Sequence, residues 1–330
     1  MNDELYDAGL IGSKEKFTHL PVLPREVVRY LSFGDRPVRL IDGTVGSGGH
    51  SGLLLEANPN AVLLGIDRDG EALKRAGRRL EFAGDRVKLV HGEFGDIAGI
   101  AAANGFAGAD GILLDIGVSS PQIDDPSRGF SWRNDGPLDM RMDAESGISA
   151  AELLNSYPEE RLSWIFHEWG EIRSARKLAA AVAARRKTQA FSGTAEFADF
   201  CENVLGRTPR GVLPLPTLVF QALRIAVNDE LGQLERGLAG ALATLCSGGV
   251  MTVISFHSLE DRMVKNFLRD AARGCICPPD FPVCRCGHRP EVELLTRKAV
   301  MAQDDELAVN RRSAPARLRA ARKTDFVKKN

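Results

Sequence analysis

The sequence predicts an α/β protein: a Rossmann-like, doubly wound parallel sheet interrupted by an all-helical insertion. Four short apolar runs have the length and composition of buried strands, at 38–42, 61–67, 87–92 and 109–117. Helical patterns separate them, and continuous apolar strands that alternate with helices indicate a parallel sheet. After Met142 the strand pattern stops, and it returns only at 250–256.

Helices are expected between and after these strands. In the first part of the chain they cover 51–57, 70–82 and 97–104. In the strand-free part, helices open at the capping box Ser149–Glu152 and at Pro158, and two more cover 173–187 and 194–205. Beyond it the pattern predicts one helix at 217–246, a turn at 247–249, an amphipathic helix at 258–272 and an edge strand at 292–296.

These patterns divide the chain into three segments. Residues 1–142 and 217–330 are expected to form two parts of one α/β domain, and 143–216 is the helical insertion between them. The second part also contains a Cys-rich loop at 275–288 and a basic tail at 311–330.

Composition places the chain among ordinary globular proteins. It has 330 residues, of which 44% are hydrophobic and 26% charged, and its net charge is −1. Such a chain can bury a sizeable core without disulfides. Its apolar runs are too short to span a bilayer, and its first residues lack the basic start and apolar core of a secretory signal. We therefore expect a cytoplasmic protein with no membrane contact.

Positive charge is nevertheless concentrated in two places. The helix predicted at 173–187 carries six basic residues, and the tail at 311–330 carries eight against the single acid Asp325. Basic arms and tails often contact phosphates, but they are also common as solvated surfaces. Charge alone leaves both interpretations open.

The segment from Asp115 to Met142 is the most unusual in the chain. It is long, contains three prolines, and sets Phe130 and Trp132 among arginines and six carboxylates that recur from Asp115 to Asp143. Loops of this length inside a domain are uncommon and are usually functional or disordered. The aromatic and apolar residues give it something to bury, which argues against disorder. It is interpreted as an ordered active-site segment.

A glycine-rich turn, from Asp42 to Ser51, follows the first predicted strand. Glycines let the backbone approach a ligand closely. The dinucleotide fingerprint fails because its third glycine position falls on Ser51, and the phosphate-loop pattern fails because it needs a lysine. What remains is the turn of the Rossmann-like methyltransferases that bind S-adenosylmethionine, with Thr44 in place of their usual first glycine. Taken alone, the turn is equally well a structural feature.

Carboxylates at the ends of two strands strengthen the interpretation. Asp67 ends the second predicted strand and Asp115 lies near the end of the fourth. Ligands of such sheets bind at the carboxyl ends of the strands, where a carboxylate can accept hydrogen bonds from ribose hydroxyls. Together with the glycine-rich turn, this pattern predicts an adenosine cofactor without a 2′-phosphate.

The residues after Asp115 suggest an amine as methyl acceptor. Methyltransferases that act on exocyclic amines of bases have a polar-Pro-Pro-aromatic signature at this place. Ser120-Pro121 resembles half of it, and Gln122 stands where an aromatic would be. Hydrogen bonds from the amino protons to oxygen acceptors favour a pyramidal nitrogen whose lone pair attacks the methyl group in line, so positioning supplies most of the rate. The target base must be unstacked, with Phe94, Phe130 and Trp132 as candidates to stack on it or on adenine.

Six stretches together resemble the bacterial 16S rRNA cytosine-N4 methyltransferase family: 19–31, 42–51, 65–69, 113–143, 220–231 and 254–267. The resemblance spans about His19 to Pro315. It implies the class I methyltransferase fold, an S-adenosylmethionine cofactor, and methylation of the N4 amine of cytidine 1402. That cytidine lies in the P-site decoding region of 16S rRNA within the small ribosomal subunit. The resemblance also implies that the helical insertion binds this substrate.

The resemblance also implies roles for individual residues. Cofactor-binding residues are expected at Gly46, Gly48, Gly49, His50, Asp67, Phe94, Asp115 and Gln122. Catalytic residues are expected at Asp115, Ser119, Ser120, Pro121 and His257. His257 follows a predicted strand and precedes a helix that Ser255 or Ser258 would cap. Because capping does not explain the histidine, a contact with substrate or cofactor is preferred for it.

Four cysteines form a C-x-C-x6-C-x-C pattern: Cys275, Cys277, Cys284 and Cys286. Four thiols in a cytoplasmic chain suggest a structural zinc, but C-x2-C is the usual spacing and nearby prolines suggest a rigid loop. We therefore predict no metal, with zinc as the alternative.

Two other functions stay open on the residues alone. One is an amino-methyltransferase of the same fold that acts on DNA or a small molecule. The other is a non-catalytic RNA-binding factor in ribosome assembly. The oligomeric state, including a homodimer, also stays open.

Overall fold

The computed structural model describes residues 20–208, 213–278, 283 and 285–325. The strands are β1 (Val38–Asp42), β2 (Ala61–Asp67), β3 (Val87–His91), β4 (Ala109–Asp115), β5 (Leu245–Ser255), β6 (Val292–Leu294) and β7 (Arg317–Lys323). They form a seven-stranded sheet in the order β3-β2-β1-β4-β5-β7-β6.

The α-helices of the described residues are α1 (Pro24–Leu31), α2 (Gly49–Ala57), α3 (Gly70–Arg79), α4 (Ile97–Ala103), α5 (Ser120–Asp124), α6 (Ala150–Ser156), α7 (Glu159–Glu168), α8 (Ala175–Arg185), α9 (Thr194–Leu205), α10 (Leu215–Asn228), α11 (Glu230–Thr244), α12 (Ser258–Ala271) and α13 (Asp304–Val309). Short 3-10 turns lie at Glu81–Arg86, Phe94–Asp96, Pro126–Arg128 and Arg311–Ser313.

The first five strands of the sheet order are parallel and bury both faces. β1 pairs with β2 on one side and with β4 on the other, so that Asp42 lies beside Gly65 and Leu113. One apolar core, with helices α4, α11 and α12, covers one face, and a second core, with α1, α2 and α3, covers the other. The predicted doubly wound α/β sheet is confirmed.

A third apolar core belongs to the helices after the sheet segment. It joins α6, α7, α8 and α9 with α10, and it contains Phe166, Phe191, Phe197 and Phe220. Leu138 and Met140, from the long segment after β4, are buried in the same core. This helical cluster therefore includes residues on both sides of the predicted boundaries at 143 and 216, and the division of the chain into domains stays a prediction.

The single helix predicted at 217–246 is wrong. The structure has two helices, α10 and α11, separated by Asp229 in the left-handed conformation with φ of 48°. Aspartate tolerates this conformation better than most residues do. The predicted turn at 247–249 also lies inside a strand: β5 pairs with β4 through Leu245 and then again from Val250, so the intervening residues form a bulge.

The basic tail predicted at 311–330 is wrong for its middle part. Residues 317–323 form β7, which inserts antiparallel between β5 and β6. Leu318, Ala320 and Ala321 are buried there. Arg317 and Arg319 both pair with Asp261 of α12. These arginines mask the strand in the sequence, because their charges are neutralised only by tertiary contacts. Residues 326–330 lie outside the described part of the chain.

Within the described residues, the helices lack the combined length and apolarity needed to cross a membrane.

Candidate active site

A cavity of about 530 Å³ opens at the carboxyl ends of β1, β2 and β4. Ten of the residues predicted to form the site lie on its wall: Gly46, Gly49, His50, Asp67, Phe94, Asp115, Ser119, Ser120, Pro121 and Gln122. Gly48 and His257 do not line it. The cavity also borders residues that were not predicted for the site from the sequence: Leu20, Pro21, Val22, Glu230, Gln233, Arg311 and Arg312.

The glycine-rich turn is attached to the neighbouring strand. The backbone N–H of Gly46 donates to Oδ2 of Asp67 over 2.8 Å. Gly48 precedes α2 in the left-handed conformation with φ of 78°, and a Cβ there would lie 3.2 Å from Leu80. Both its conformation and its close packing require glycine at this position. Gly48 therefore shapes the turn without lining the cavity.

Thr44 explains the departure from the usual glycine pattern. Its hydroxyl accepts a hydrogen bond from the backbone N–H of Asp115 over 2.7 Å. This bond joins the turn after β1 to the end of β4. The turn and the segment that begins at Asp115 are therefore held together as two sides of one site.

Asp42, the last residue of β1, stabilises the glycine-rich turn through hydrogen bonds. Its carboxylate is buried and accepts bonds from the Ser51 hydroxyl and the Thr44 backbone N–H. Burial raises the pKa of Asp42 from 3.8 to about 6, although both bonds act in the opposite direction. A neighbouring positive charge would lower the pKa of Asp42 again, because it favours the ionised carboxylate.

Asp67 lies at the end of β2 with its carboxylate turned toward the turn. Oδ1 accepts from the Asp69 backbone N–H over 2.9 Å, and Oδ2 accepts from Gly46. Burial raises the pKa of Asp67, against these two hydrogen bonds. Each carboxylate oxygen can accept more than one bond, so both retain acceptor capacity for ribose hydroxyls.

Three side chains bring buried polar atoms without hydrogen-bond partners to the opposite wall. Among the described residues, Oδ1 of Asp115, the Ser119 hydroxyl and both ring nitrogens of His50 are buried and unsatisfied. His50 Nε2 lies 3.5 Å from Oδ2 of Asp115. Buried polar groups normally have partners, so this cluster indicates a place where a ligand supplies them.

Gln122 is more fully engaged within the protein than the sequence suggested. Its Oε1 accepts from the Ser119 backbone N–H, and its Nε2 donates to Oδ2 of Asp69. Asp69 also caps α3 and pairs with Arg128 over 3.0 Å. Burial raises the pKa of Asp69, but the bonds and charge of Arg128 with Gln122 outweigh it, and the net pKa is lowered.

Arg128 continues this network into the second half of the long segment. Its Nη2 donates to the backbone carbonyls of Arg141 and Met142. The Met142 N–H in turn donates to the side chain of Asn228 at the end of α10. The segment is thus attached to β2 and α3 at one end and to the helical cluster at the other.

Phe94 packs at the rim of the cavity. It opens the 3-10 turn after β3 and lies against α11, where a Cβ on Gly237 would be 2.5 Å from its ring. Phe130 and Trp132, the other aromatic candidates, instead pack against the helical cluster. Only Phe94 of the three lines the cavity.

His257 has a structural position that the sequence did not predict. It caps α12 itself, with Glu260 completing the capping box, rather than Ser255 or Ser258. Its ring lies 3.1 Å from the buried Glu260. Burial raises the pKa of Glu260, but His257 and the charge of Arg224 outweigh it, so that the pKa is lowered.

Arg224 and Glu230 connect this cap to the cavity. Arg224 donates two bonds to Glu230, at 2.8 and 3.0 Å, and both residues line the cavity wall. Glu230, His257 and Glu260 bring one ligand atom each within 4.8 Å of one another. The Arg224 guanidinium already supplies positive charge to this group, so we interpret it as a buried ion-pair network.

The geometry agrees with what sequence comparison shows. The MraW methylase family model matches residues 16–324, nearly the whole chain. The chain belongs to the MraW methylase family. The predicted methyltransferase activity and its S-adenosylmethionine donor are confirmed at the level of this family.

Curated relatives of the family match over their full length. The chain is 48% identical to "Ribosomal RNA small subunit methyltransferase H" of Heliobacterium modesticaldum, covering 93% of this chain and 99% of that protein. Proteins of the same name from Syntrophotalea carbinolica and Geobacter sp. are 48% and 47% identical, each covering 94% of this chain and 99% of the relative. A putative rRNA methylase from Clostridium thermocellum aligns in structure with a TM-score of 0.42 and 10% identity, over 94% of this chain and 99% of that one.

The cavity fits the cofactor that the MraW methylase family requires. Asp67 offers a carboxylate for a ribose, and Phe94 offers a ring at the rim. The unsatisfied ring nitrogens of His50 are suited to the charged methionine end. Pro21 and Val22 add apolar surface to the cavity wall. This combination of a few polar groups and apolar walls is typical of a cofactor pocket.

Proposed function

We propose that the protein methylates the N4 amine of cytidine 1402 in 16S rRNA, within the small ribosomal subunit. The observation that carries the proposal is the full-length similarity to proteins named for methylation of small-subunit RNA. The cavity gives the similarity a physical counterpart, because unsatisfied polar atoms lie at the start of the segment that follows β4.

The proposed acceptor site lies between Asp115 and Pro121. Oδ1 of Asp115 and the Ser119 hydroxyl are acceptors without partners, and we assign them to the amino protons of the cytosine. The Ser120-Pro121 start of α5 gives the base a fixed edge to bind against. Acceptors on the amino protons localise the nitrogen lone pair, and most of the rate then comes from positioning and electrostatics.

S-adenosylmethionine, when bound, supplies an electrophilic methyl group on a sulfonium. Gly46, Gly49 and His50 are proposed to contact its methionine end, and Asp67 its ribose. A catalytic role for His257 remains a proposal. Its contacts position the start of α12, next to Phe256 on the cavity wall. The released proton needs no dedicated base, since it can pass to water.

We also infer that the helical cluster contacts the RNA. Trp164 of α7 is 42% exposed, and the Arg161 guanidinium lies over its ring at 4.5 Å and over Trp169 at 6.0 Å. An exposed aromatic ring stacked with arginine is a common surface for unpaired bases. Arg173 and Arg176 are exposed at the nearby start of α8.

Not all the basic residues of that region are available to phosphates. Arg185 pairs with Glu196, Arg186 donates to two backbone carbonyls, and Lys177 donates to the Val204 carbonyl. Three of the six basic residues that suggested an RNA-binding helix therefore stabilise the helical cluster itself. The proposed RNA contacts are therefore Arg161, Arg173, Arg176 and the Trp164 ring, together with Lys187, which is also exposed.

The decisive experiment supplies labelled S-adenosylmethionine with one of three substrates. These are unmethylated small subunits, free 16S rRNA and double-stranded DNA. We expect incorporation into the subunits, mapped by mass spectrometry to N4-methylcytidine at position 1402. Incorporation on DNA alone would exclude the RNA function. Tight cofactor binding without incorporation on any substrate would favour a non-catalytic assembly factor.

A matched pair of variants tests the assigned acceptor site. Asp115→Asn removes the negative charge at the cavity end of β4 and replaces one carboxylate oxygen with an NH2 donor, and Asp110→Asn makes the same change at the far end of that strand. We expect Asp115→Asn to lower kcat at least 100-fold, on the scale of a lost transition-state hydrogen bond, and Asp110→Asn to leave it within about twofold. Equal effects of the two variants would contradict the assignment.

A further inference from the structure

The connection between α12 and β6 is long, and its described residues form no core of their own. Its ends are joined by a backbone bond from the Glu291 N–H to the Ala271 carbonyl, 2.8 Å long. Between 272 and 291, every described residue is exposed or only partly buried, and Ile276 and Val283 are 58% and 65% exposed. A loop with so little burial needs another source of order, such as a metal or a covalent link.

Three cysteines come together in this loop. The sulfur atoms of Cys275, Cys277 and Cys286 all lie within 4.8 Å of one another. The Cys275 and Cys286 sulfurs are 3.8 Å apart. Thiolates bound to one zinc at about 2.3 Å in tetrahedral geometry are separated by about 3.8 Å, whereas a disulfide requires about 2.05 Å. The Cys275–Cys286 sulfur separation therefore matches that of two ligands on one zinc ion.

The backbone around Cys275 also suits a thiolate. The Cys277 N–H donates to the Cys275 sulfur over 3.4 Å, which places a partial positive charge beside it. The sequence alone argued against a metal because C-x-C is an unusual spacing. The structure adds a third sulfur from a distant part of the loop, because Cys286 lies within 4.8 Å of both cysteines of the C-x-C pair. Cys284 lies outside the described residues.

We propose that Cys275, Cys277 and Cys286 bind one zinc ion, which orders the loop between α12 and β6. Three thiolates leave one position of a tetrahedral ion for a further donor. The site lies apart from the cofactor cavity, whose wall contains no residue from 257 to 310 among those described. The ion is therefore structural, and the proposal is independent of the substrate of the methyltransferase.

The test measures metal content of the full chain purified without chelators or an affinity tag that binds metal. We expect about one zinc per chain in the wild type and in Cys246→Ser, a control cysteine at the start of β5. The double variant Cys275→Ser/Cys286→Ser should contain at least tenfold less. A wild type without zinc, with these thiols reduced or joined as a disulfide, would overturn the proposal. Zinc retained in the double variant would do the same.

A second measurement does not depend on the variant folding well. Zinc-free wild-type protein is titrated with Co²⁺, and the visible spectrum should show the d–d bands and the thiolate charge-transfer band of a tetrahedral site. Zinc should abolish these bands at one equivalent. Hydrogen exchange at 273–291 should slow on zinc binding, while S-adenosylmethionine affinity stays within twofold. A spectrum typical of six-coordinate cobalt with oxygen ligands would exclude the thiolate site.

Discussion

The sheet and the helical cluster differ in what they bury. Around the sheet, the described chain buries Asp42, His50, Asp69, Glu230 and Glu260, which are charged or titratable. Among the described residues of the helical cluster, the buried polar ones are Thr194 and Asn228, and both are uncharged. Burying charged groups costs free energy, so their concentration around the sheet indicates that the functional site lies there. The helical cluster, with its apolar core, is mainly a structural scaffold.

The long segment from Asp115 to Met142 belongs to both regions. Its first half lines the cavity, and its second half places Leu138 and Met140 in the helical core. Arg128 links the halves through Asp69 and two backbone carbonyls. The difference between the regions can be tested by changes that should affect one of them and spare the other.

The largest expected effect is on the helical cluster. Phe166→Ala removes a fully buried ring and should lower the free energy of unfolding by about 3–5 kcal/mol. Under native conditions, S-adenosylmethionine affinity should stay within about twofold, because the ring is remote from the cavity wall. Urea unfolding and calorimetry measure the two quantities. Phe82→Ala, at a 57% exposed site, is the control and should cost far less. A parallel loss of cofactor affinity would show that the regions are not separable.

The next effect belongs to the sheet and depends on pH. Because burial raises the folded-state pKa of Asp42 from 3.8 to about 6, the native state loses stability as pH rises through this interval. The penalty is complete above the folded pKa and amounts to at most about 3 kcal/mol. Asp42→Asn removes it, so the variant should gain stability relative to wild type between about pH 4 and about pH 7.5. A difference in urea unfolding that is the same at both pH values would refute the prediction.

Cofactor binding should respond to Asp67 without a change in the helices. Asp67→Ala removes the acceptor for the Gly46 N–H and the proposed acceptors for the ribose, and should weaken S-adenosylmethionine binding roughly 10- to 100-fold. Calorimetry measures the affinity. Asp67→Asn keeps one carbonyl oxygen and should lose less. Unchanged affinity in the alanine variant would remove Asp67 from the site.

The smallest effect concerns the joint between the two regions. Trp132 donates from Nε1 to the Thr217 hydroxyl over 3.1 Å, which ties the long segment to the start of α10. A double-mutant cycle of Trp132→Phe and Thr217→Val should give a coupling free energy of about 1 kcal/mol in unfolding. A coupling near zero would mean that the bond contributes nothing to this joint.

Much of the sheet could be predicted from local pattern. β1 and β2 begin and end where the apolar runs do, and α9 matches its predicted range, because these segments are buried by their own composition. β7 could not be predicted, since Arg317 and Arg319 look solvated until Asp261 of α12 is placed beside them. The break at Asp229 was missed because the helical pattern continues on both sides of it.

Prediction of the site from the sequence has the same limit as prediction of the fold. The glycine-rich turn, Asp67 and Asp115 are recognisable because each stands next to a strand end, and parallel strands bring their ends together. The role of Thr44 as an acceptor for the Asp115 N–H, the engagement of Gln122 by Asp69, and the His257 cap all depend on partners distant in sequence or on local geometry. No periodicity encodes such contacts.

The sequence by itself therefore determined the α/β class, the positions of the first strands and the family, and it predicted that the cofactor binds at the strand ends. Tertiary structure alone decided which charges are neutralised, which polar atoms remain unsatisfied in the cavity, and how three cysteines meet in one loop. The physical reason is the separation along the chain of the residues that interact. Burial patterns and turns follow from neighbouring residues, whereas ion pairs, unsatisfied groups and ligand geometry depend on distances that exist only after the chain has packed.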